Sequence, residues 1–217
     1  MTLTRDTIAE AAARIAPFLR RTPVMDIAMP GVEKPVCLKL ELFQHTGSFK
    51  PRGAFTNLVG AQIPKAGVAA ASGGNHGAAV AYAAKVLGIS ARIFVPTISS
   101  PAKVARIASY GATIVQEGAN YQAALGLCQD YVRESGALNI HAYDMETTLA
   151  GQGTLGLELE EQAPDLDTVL VAVGGGGLIG GIASWYQSKT KVVGVEPETC
   201  NCLHAALAAG ATTTMPL

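Results

Sequence analysis

Residues 168–178 read TVLVAVGGGGL, an apolar, β-branched run that ends in four consecutive glycines. As far as Val173 the run has the length and composition of a buried strand. The glycines form the loop after it, and the apolar segment at 178–187 predicts a helix. A strand that passes through a glycine-rich loop into a helix is a unit of parallel α/β sheets.

The same alternation of short strands and longer helices extends in both directions from this unit. We predict strands at 36–40, 67–71, 91–95, 112–115, 168–173 and 191–195, and helices at 7–18, 51–62, 75–87, 101–110, 121–134, 150–161, 178–187 and 202–209. This order predicts an α/β fold with parallel sheets flanked by helices on both faces. Ligands in such folds bind where the carboxyl ends of strands lead into helices, and the glycine clusters lie at those points.

Composition excludes several classes of protein. Of 217 residues, 49% are hydrophobic and 15% charged, so the chain has ample apolar surface to bury and is not intrinsically disordered. The 16 basic and 17 acidic residues leave a net charge of −1, which provides no basic surface for nucleic acid and no polybasic run for a membrane. Four scattered cysteines, Cys37, Cys128, Cys200 and Cys202, are too few for a disulfide framework.

The two ends of the chain and one apolar stretch bear on its location. Residues 168–186 carry no charge, but six of them are glycine, so a strand, a loop and a helix explain them better than a membrane span. Residues 1–6 lack the apolar core of a signal peptide, and we expect a cytoplasmic protein. After Gly210, which suits a helix C-cap, residues 212–217 end apolar, and this ending suggests C-terminal truncation.

A lysine stands at the start of one predicted helix. Residues 46–53 read TGSFKPRG, and Pro51 occupies the favoured first turn of the helix, directly after Lys50. The positive end of the helix dipole disfavours the ammonium form and moves Lys50 toward the neutral amine. A neutral amine forms a Schiff base with an aldehyde. Without further context, a solvated surface lysine is the alternative.

A second loop, residues 72–77 (SGGNHG), joins a strand to a helix. Backbone N–H groups at such a helix start bind anions, and Ser72, Asn75 and His76 add directional donors for a substrate carboxylate. Helix capping by Ser72 or Asn75 is the alternative, and capping and ligand binding do not exclude each other.

The four glycines at 174–177 leave no Cβ to keep a phosphate away from the backbone. Close packing alone is the alternative, at a large entropic cost. A different class of function is also open here, because Gly175, Gly177 and Gly180 match G-x-G-x-x-G and Glu196 follows about 20 residues later. That pattern predicts a dinucleotide-binding oxidoreductase, but it leaves Lys50 and the 72–77 loop unexplained.

Taken in order, the three loops resemble the fold type II (tryptophan synthase β-like) pyridoxal-phosphate enzymes, specifically the threonine/serine dehydratase and serine racemase group. The resemblance also covers residues 12–15 (AARI), 21–23 (RTP), 150–154 (AGQGT) and 195–197 (VEP). It implies a two-domain fold. Residues 1–68 and 143–217 would form a large, incomplete cofactor-binding domain, and residues 69–142 a small domain with the substrate loop.

The resemblance also assigns roles to the loops. It implies that Lys50 is the catalytic residue, which binds pyridoxal 5'-phosphate covalently and, once freed by substrate, takes the α-proton. The cofactor-binding residues would be Phe49, Lys50, Asn75, Gly174, Gly175, Gly176, Gly177 and Leu178. The substrate carboxylate would bind Ser72, Gly73, Gly74, Asn75 and His76.

The implied reaction is α,β-elimination from L-threonine or L-serine to a 2-oxo acid and ammonia, which makes the protein a carbon–nitrogen lyase. Serine racemases of this group carry a second serine directly after the position of Ser72. Here that position is Gly73, which has no hydroxyl to exchange a proton, so elimination is favoured over racemisation. The resemblance also implies a homo-oligomer, a dimer or a tetramer. A serine racemase, a dinucleotide oxidoreductase and an inactive truncated fragment remain the alternatives.

A few further residues complete the sequence predictions. Glu196 matches a cation ligand of some relatives, but Cys202 stands where a carboxylate is expected, and a thiolate does not suit a hard cation, so we expect no metal. Arg52 is a candidate for either an ion pair or a ligand contact. Trp185 is expected in the core, and Tyr143 is a candidate for packing on the substrate side.

Overall fold

The computed structural model describes residues 3–211, and within that range the strands form three sheets. The strands are β1 (Val24–Ile27), β2 (Val36–Lys39), β3 (Val68–Ala71), β4 (Ala91–Val95), β5 (Thr113–Gln116), β6 (Leu138–Asn139), β7 (Thr168–Ala172) and β8 (Lys191–Val195). The largest sheet is parallel throughout, in the order β5-β4-β3-β6, and β7 and β8 form a second parallel sheet. The pair β1 and β2 is antiparallel.

Helices connect and cover these strands. They are α1 (Arg5–Ile15), α2 (Lys50–Leu58), α3 (Asn75–Leu87), α4 (Pro101–Ala108), α5 (Tyr121–Ser135), α6 (Glu146–Gln162), α7 (Gly177–Tyr186) and α8 (Cys202–Ala209). Short 3-10 helices lie at Ala16–Phe18, Glu41–Phe43, His45–Gly47 and Glu198–Cys200. The predicted α/β fold with parallel sheets flanked by helices is confirmed, and α3, β4, β8 and α8 have the predicted boundaries.

The four-stranded sheet is buried on both faces, and β3 at its centre shows this. Val68 and Ala70 point into one core, which α2 and α3 complete. Ala69 and Ala71 point into another, which contains Cys128 of α5. Successive side chains of a strand face opposite sides, so a strand covered on both sides must be apolar throughout, as VAAA is.

A separate core holds the last parallel strands against the helices. Ile8 of α1, Leu155 of α6, Val171 of β7 and Trp185 of α7 are all buried in it. The prediction that Trp185 lies in the core is confirmed. The guanidinium carbon of Arg5 lies 3.7 Å from the centroid of its ring.

Several sequence predictions were wrong in detail. The antiparallel strand β1 and the two-residue strand β6 were not predicted, and two residues are too few to give a periodic signal. Helix α2 ends at Leu58 rather than at 62, since Val59 turns to an extended ψ of 116° and Gly60 has a φ of +79°. Helix α6 begins at Glu146 rather than at 150, directly after the extended Met145.

Two sequence predictions concern the ends of the chain. Residues 212–217, with the apolar ending, and residues 1–2 lie outside the described residues. Among residues 3–211, no helix combines the length and the apolar content that a membrane span needs. The division into a small domain at 69–142 and a large domain stays a prediction.

Helices α6 and α7 pack with backbone against backbone, and glycine makes this contact possible. An ideal Cβ at Gly181 would lie 2.6 Å from the nitrogen of Gly153 and would also overlap with the carbonyl oxygen of Leu149. By contrast, a Cβ at the neighbouring Gly180 would meet only the tip of the Leu149 side chain, at 3.2 Å.

We therefore expect Gly181→Ala to destabilise the fold by about 1–3 kcal/mol, since rigid backbone must move apart. The matched variant Gly180→Ala should stay within about 1 kcal/mol of the unmodified chain, because a flexible side chain can yield and alanine favours the helix. Urea unfolding followed by circular dichroism measures both. Equal stability of the two variants would contradict the proposed close contact.

Candidate active site

Lys50 is the first residue of α2 and lies half-buried in the molecule. Its Nζ donates a hydrogen bond to the carbonyl oxygen of Ala142, at 2.9 Å, and lies 5.1 Å from the centroid of the Phe49 ring. Burial lowers the pKa of Lys50 to about 8. The direction agrees with the sequence prediction, but the cause is desolvation rather than the helix dipole that we invoked.

The glycine loop lies at the carboxyl end of β7 and leads into α7, which begins at Gly177. Gly176 adopts a φ of +83°, in the left-handed region that favours glycine. Ideal Cβ atoms at Gly174 and Gly176 would meet no atom within 4 Å, so the loop is open on those sides. A cavity of about 300 Å³ is lined by Phe49, Lys50, Tyr143 and residues 172–179. The structure thus brings the lysine and the glycine loop together, as the sequence predicted.

Tyr143 forms a further wall of this cavity. The Tyr143 ring lies so close to Gly175 that any Cβ there would overlap with it, and a Cβ at Gly177 would lie 2.9 Å from the Cα of Tyr143. The His141 ring packs edge-on against Tyr143, with centroids 4.7 Å apart. Two of the four glycines therefore allow Tyr143 to approach, a reason that the sequence did not reveal. Packing of Tyr143 on the substrate side stays a prediction.

The loop from Ser72 to the start of α3 is held by local hydrogen bonds. The hydroxyl of Ser72 accepts from the N–H of Gly74, at 3.2 Å, and the N–H of Ser72 donates to the carbonyl of Phe94. Asn75, the first residue of α3, is exposed. Its exposed amide is available to a ligand.

His76 of the same loop points into the protein rather than toward solvent. It is 6% exposed, and its Nε2 lies 2.8 Å from the carbonyl oxygen of Ile140, so Nε2 donates. Burial, and next to it the charge of Lys50, lowers the pKa of His76 to about 3. The imidazole is therefore neutral at physiological pH, and a contribution of His76 to carboxylate binding must come from its backbone N–H.

Two residues after the lysine, Arg52 forms a buried ion-pair network. It is 1% exposed, and its guanidinium donates to both carboxylate oxygens of Glu41, at 2.7 and 2.8 Å, and to Glu158 at 3.0 Å. Lys39 completes the network with a 2.5 Å bond to Glu158. Burial raises the pKa of the Glu158 carboxyl, but the nearby Arg52 and Lys39 outweigh it and hold that pKa below its usual value. Of the two roles considered for Arg52, the structure shows the ion pair.

Glu196, which the dinucleotide interpretation requires as a ribose ligand, has a local use. Its carboxylate accepts hydrogen bonds from the N–H groups of Leu203, at 2.7 Å, and His204, at 3.0 Å, and so caps the first turn of α8. Within residues 3–211, no group of three or more His, Cys, Asp or Glu side chains is placed to hold a metal ion.

The half-buried amine beside the glycine loop suits an enzyme that holds a phosphorylated aldehyde. The chain belongs to the pyridoxal-phosphate dependent enzyme family, whose model matches residues 15–217. It is 42% identical over 200 residues to a catabolic L-threonine dehydratase of Staphylococcus aureus (strain USA300). That match covers 88% of this chain and 58% of the relative, so the chain spans little more than half the length of that protein.

Solved structures show the same fold. A maize serine racemase superposes with a TM-score of 0.93 at 38% identity, over 100% of this chain and 68% of the racemase chain. A threonine deaminase from T.th. superposes with a TM-score of 0.91, also at 38% identity, over 99% of this chain and 71% of its own. The fold type II resemblance is confirmed. This result disfavours the alternative of a dinucleotide-binding oxidoreductase.

The residues of the cavity fit pyridoxal phosphate. The Lys50 amine, with a pKa of about 8, is partly neutral at physiological pH and can react with an aldehyde. Gly174 and Gly176 leave open space at the start of α7, where backbone N–H groups favour a phosphate. Phe49 provides an aromatic wall beside the amine.

We expect capture of pyridoxal phosphate by the apoprotein to accelerate with rising pH, with half the maximal rate near pH 8. Only the neutral amine attacks an aldehyde, and burial moves Lys50 into that form. The measurement is the rate of borohydride-trapped product at each pH, located by peptide mass mapping. Lys50→Met should abolish the labelled peptide, whereas Lys103→Met on the exposed side of α4 should not. A midpoint above pH 10 would show that Lys50 is solvated.

A second prediction concerns the ion-pair network. Arg52→Met should destabilise the fold by about 3–5 kcal/mol at neutral pH, because Glu41 and Glu158 both lose the arginine, although Glu158 keeps Lys39. Glu158 has a lowered pKa in the fold, so its contribution is present above the unfolded pKa and is lost as the pH falls. The difference between variant and unmodified chain should therefore shrink toward about pH 4.

The control is Arg21→Met, which breaks an ion pair to Glu161 on the same helix α6. Both of its side chains are more than half exposed, at 56% and 52%, so its loss should cost less than about 1 kcal/mol. Urea unfolding across the pH range gives both values. A cost for Arg52→Met no larger than that of the control would refute the argument.

Proposed function

We propose that the protein is a dehydratase that removes ammonia from L-threonine or L-serine by α,β-elimination. The observation that carries this proposal is the Lys50 amine, with a pKa of about 8, at the wall of a cavity that the glycine loop also lines. Relatives named threonine dehydratase and threonine deaminase support the same reaction. Gly73 adds a chemical reason, since it lacks the hydroxyl through which a racemase would exchange a proton on the other face.

Each predicted site residue has a role in this proposal. Pyridoxal phosphate, when bound, supplies the aldehyde that Lys50 attacks and the electron-withdrawing ring. The N–H groups of the glycine loop and of Leu178 hold the phosphate, Phe49 packs against the ring and Asn75 binds the ring oxygen. The backbone N–H groups and Ser72 of the 72–76 loop bind the substrate carboxylate.

Proton transfer at the α-carbon is assigned to Lys50. Its half-buried Nζ donates to the Ala142 carbonyl at 2.9 Å, and this bond positions the free amine, the form of Lys50 that takes the α-proton once substrate has displaced it from the cofactor. A base with a pKa near the working pH is well matched to remove a proton and return it. Removal of the α-proton and loss of the β-hydroxyl, followed by hydrolysis, yield a 2-oxo acid and ammonia.

Racemisation is the second candidate, and the match to the maize serine racemase favours it. Elimination and racemisation both begin with removal of the same α-proton and differ in the steps that follow. Return of a proton to the opposite face needs a second proton-carrying group, which position 73 cannot supply. Racemisation would therefore require a hydroxyl from another segment, and the nearest to a side chain at 73 is that of Ser99.

The test is a 2-oxo acid and ammonia assay on L-threonine and L-serine with the cofactor-loaded chain, together with chiral analysis of residual serine. We expect 2-oxo acid and ammonia in equal amounts and no D-serine, and Lys50→Ala should abolish the product. D-serine without 2-oxo acid would establish racemisation. Neither product from a chain that has bound the cofactor would overturn the proposed activity.

A further inference from the structure

Ser99, on the loop between β4 and α4, packs against the substrate loop. An ideal Cβ at Gly73 would overlap with the Ser99 hydroxyl oxygen and would lie 3.1 Å from the Ser99 Cβ. The side-chain direction of position 73 therefore points at Ser99. In effect the loop that lacks a side chain at 73 has a hydroxyl in that place, supplied by another segment of the chain.

Hydrogen bonds of the surrounding backbone fix the position of Ser99. The N–H of Ser99 donates to the Pro96 carbonyl, and both the N–H and the hydroxyl of Thr97 donate to the Gly118 carbonyl, so the loop is fixed. Among the described residues, the Ser99 hydroxyl has no hydrogen-bond partner, and the residue is half-buried. The Ser72 hydroxyl accepts from the N–H of Gly74 and keeps its own O–H as a donor.

The segment around Ser99 is also tied to the lysine. Helix α4, which starts two residues later at Pro101, carries Arg106, whose guanidinium donates to the Thr46 carbonyl at 2.6 Å. Thr46 lies on the loop that leads into Lys50. The Ser99 hydroxyl, the 72–77 loop and the Lys50 amine therefore belong to one connected part of the structure.

We propose that Ser99 is a substrate-positioning residue, whose hydroxyl donates to the substrate carboxylate at the place that Gly73 leaves without a side chain. The proposal rests on the proposed function for the identity of the substrate, an α-amino acid. A Cβ at position 73 and the Ser99 hydroxyl cannot occupy the same space. A side chain at 73 must therefore displace the Ser99 hydroxyl.

Kinetics of four proteins test the proposal: the unmodified chain, Ser99→Ala, Gly73→Ala and the double variant. Loss of one hydrogen bond to a carboxylate should raise KM for L-threonine about tenfold, with kcat within about twofold. Gly73→Ala should give a similar increase, because its Cβ displaces the same hydroxyl. The double variant should be no worse than either single variant, since both remove one interaction.

Three controls separate positioning from a general structural effect. Ser99→Thr keeps the hydroxyl and should retain a KM near that of the unmodified chain. Ser100→Ala removes a neighbouring exposed hydroxyl that makes no helix-capping hydrogen bond, and should leave KM unchanged. Thermal unfolding should place Ser99→Ala close to the unmodified chain.

An unchanged KM in Ser99→Ala, or additive effects of Gly73→Ala and Ser99→Ala, would overturn the proposal. To separate it from the proposed function, the same proteins are titrated with L-alanine, which has no β-leaving group, by the change in cofactor absorbance. A chain that binds L-alanine but forms no 2-oxo acid refutes the dehydratase, and the binding constants then decide on Ser99. No binding of L-alanine to the unmodified chain would overturn both.

Discussion

The buried ion pairs of Arg52 are the constraint on which the site depends. Arg52 joins the start of α2 to Glu41 on one side and to Glu158 of α6 on the other, and none of these groups can leave the protein interior without breaking a charged hydrogen bond. Removal of one partner from a buried ion pair is strongly destabilising, so these bonds hold α2 against α6. Lys50 lies two residues away on the same helix, and its position follows from that arrangement.

Burial then gives this lysine its chemistry. A solvated ammonium would be unreactive toward an aldehyde near neutral pH, whereas desolvation moves Lys50 to a pKa of about 8. The same burial makes His76 neutral, which spares the interior a second positive charge next to the amine. Desolvation thus lowers the pKa of both Lys50 and His76. The nearby carboxylates pair with Arg52 and Lys39 rather than with the Lys50 amine.

The sequence predicted the elements better than it predicted their contacts. Helix α3 and strand β4 had the right boundaries because their composition is uniform and their ends carry clear turn residues. The glycine loop and the 72–77 loop were singled out as candidate site segments because each joins a strand to a helix. Lys50 was singled out because Pro51 starts the helix directly after it. The partners of Arg52 were not found: Glu158 is 106 residues away, and no local pattern encodes which buried carboxylate an arginine will meet. The packing of the Tyr143 ring on Gly175 was missed for the same reason. A run of glycines has the same sequence whether it lies against a ligand or against an aromatic side chain.

The bond between Arg106 and the Thr46 carbonyl has a consequence for motion. It joins α4, beside the substrate loop, to the segment that precedes Lys50. If α4 moves away from Lys50, this charge-assisted hydrogen bond must either break or draw residues 46–50 along with α4. The bond therefore couples any movement of α4 to movement of the segment that carries Lys50 into place.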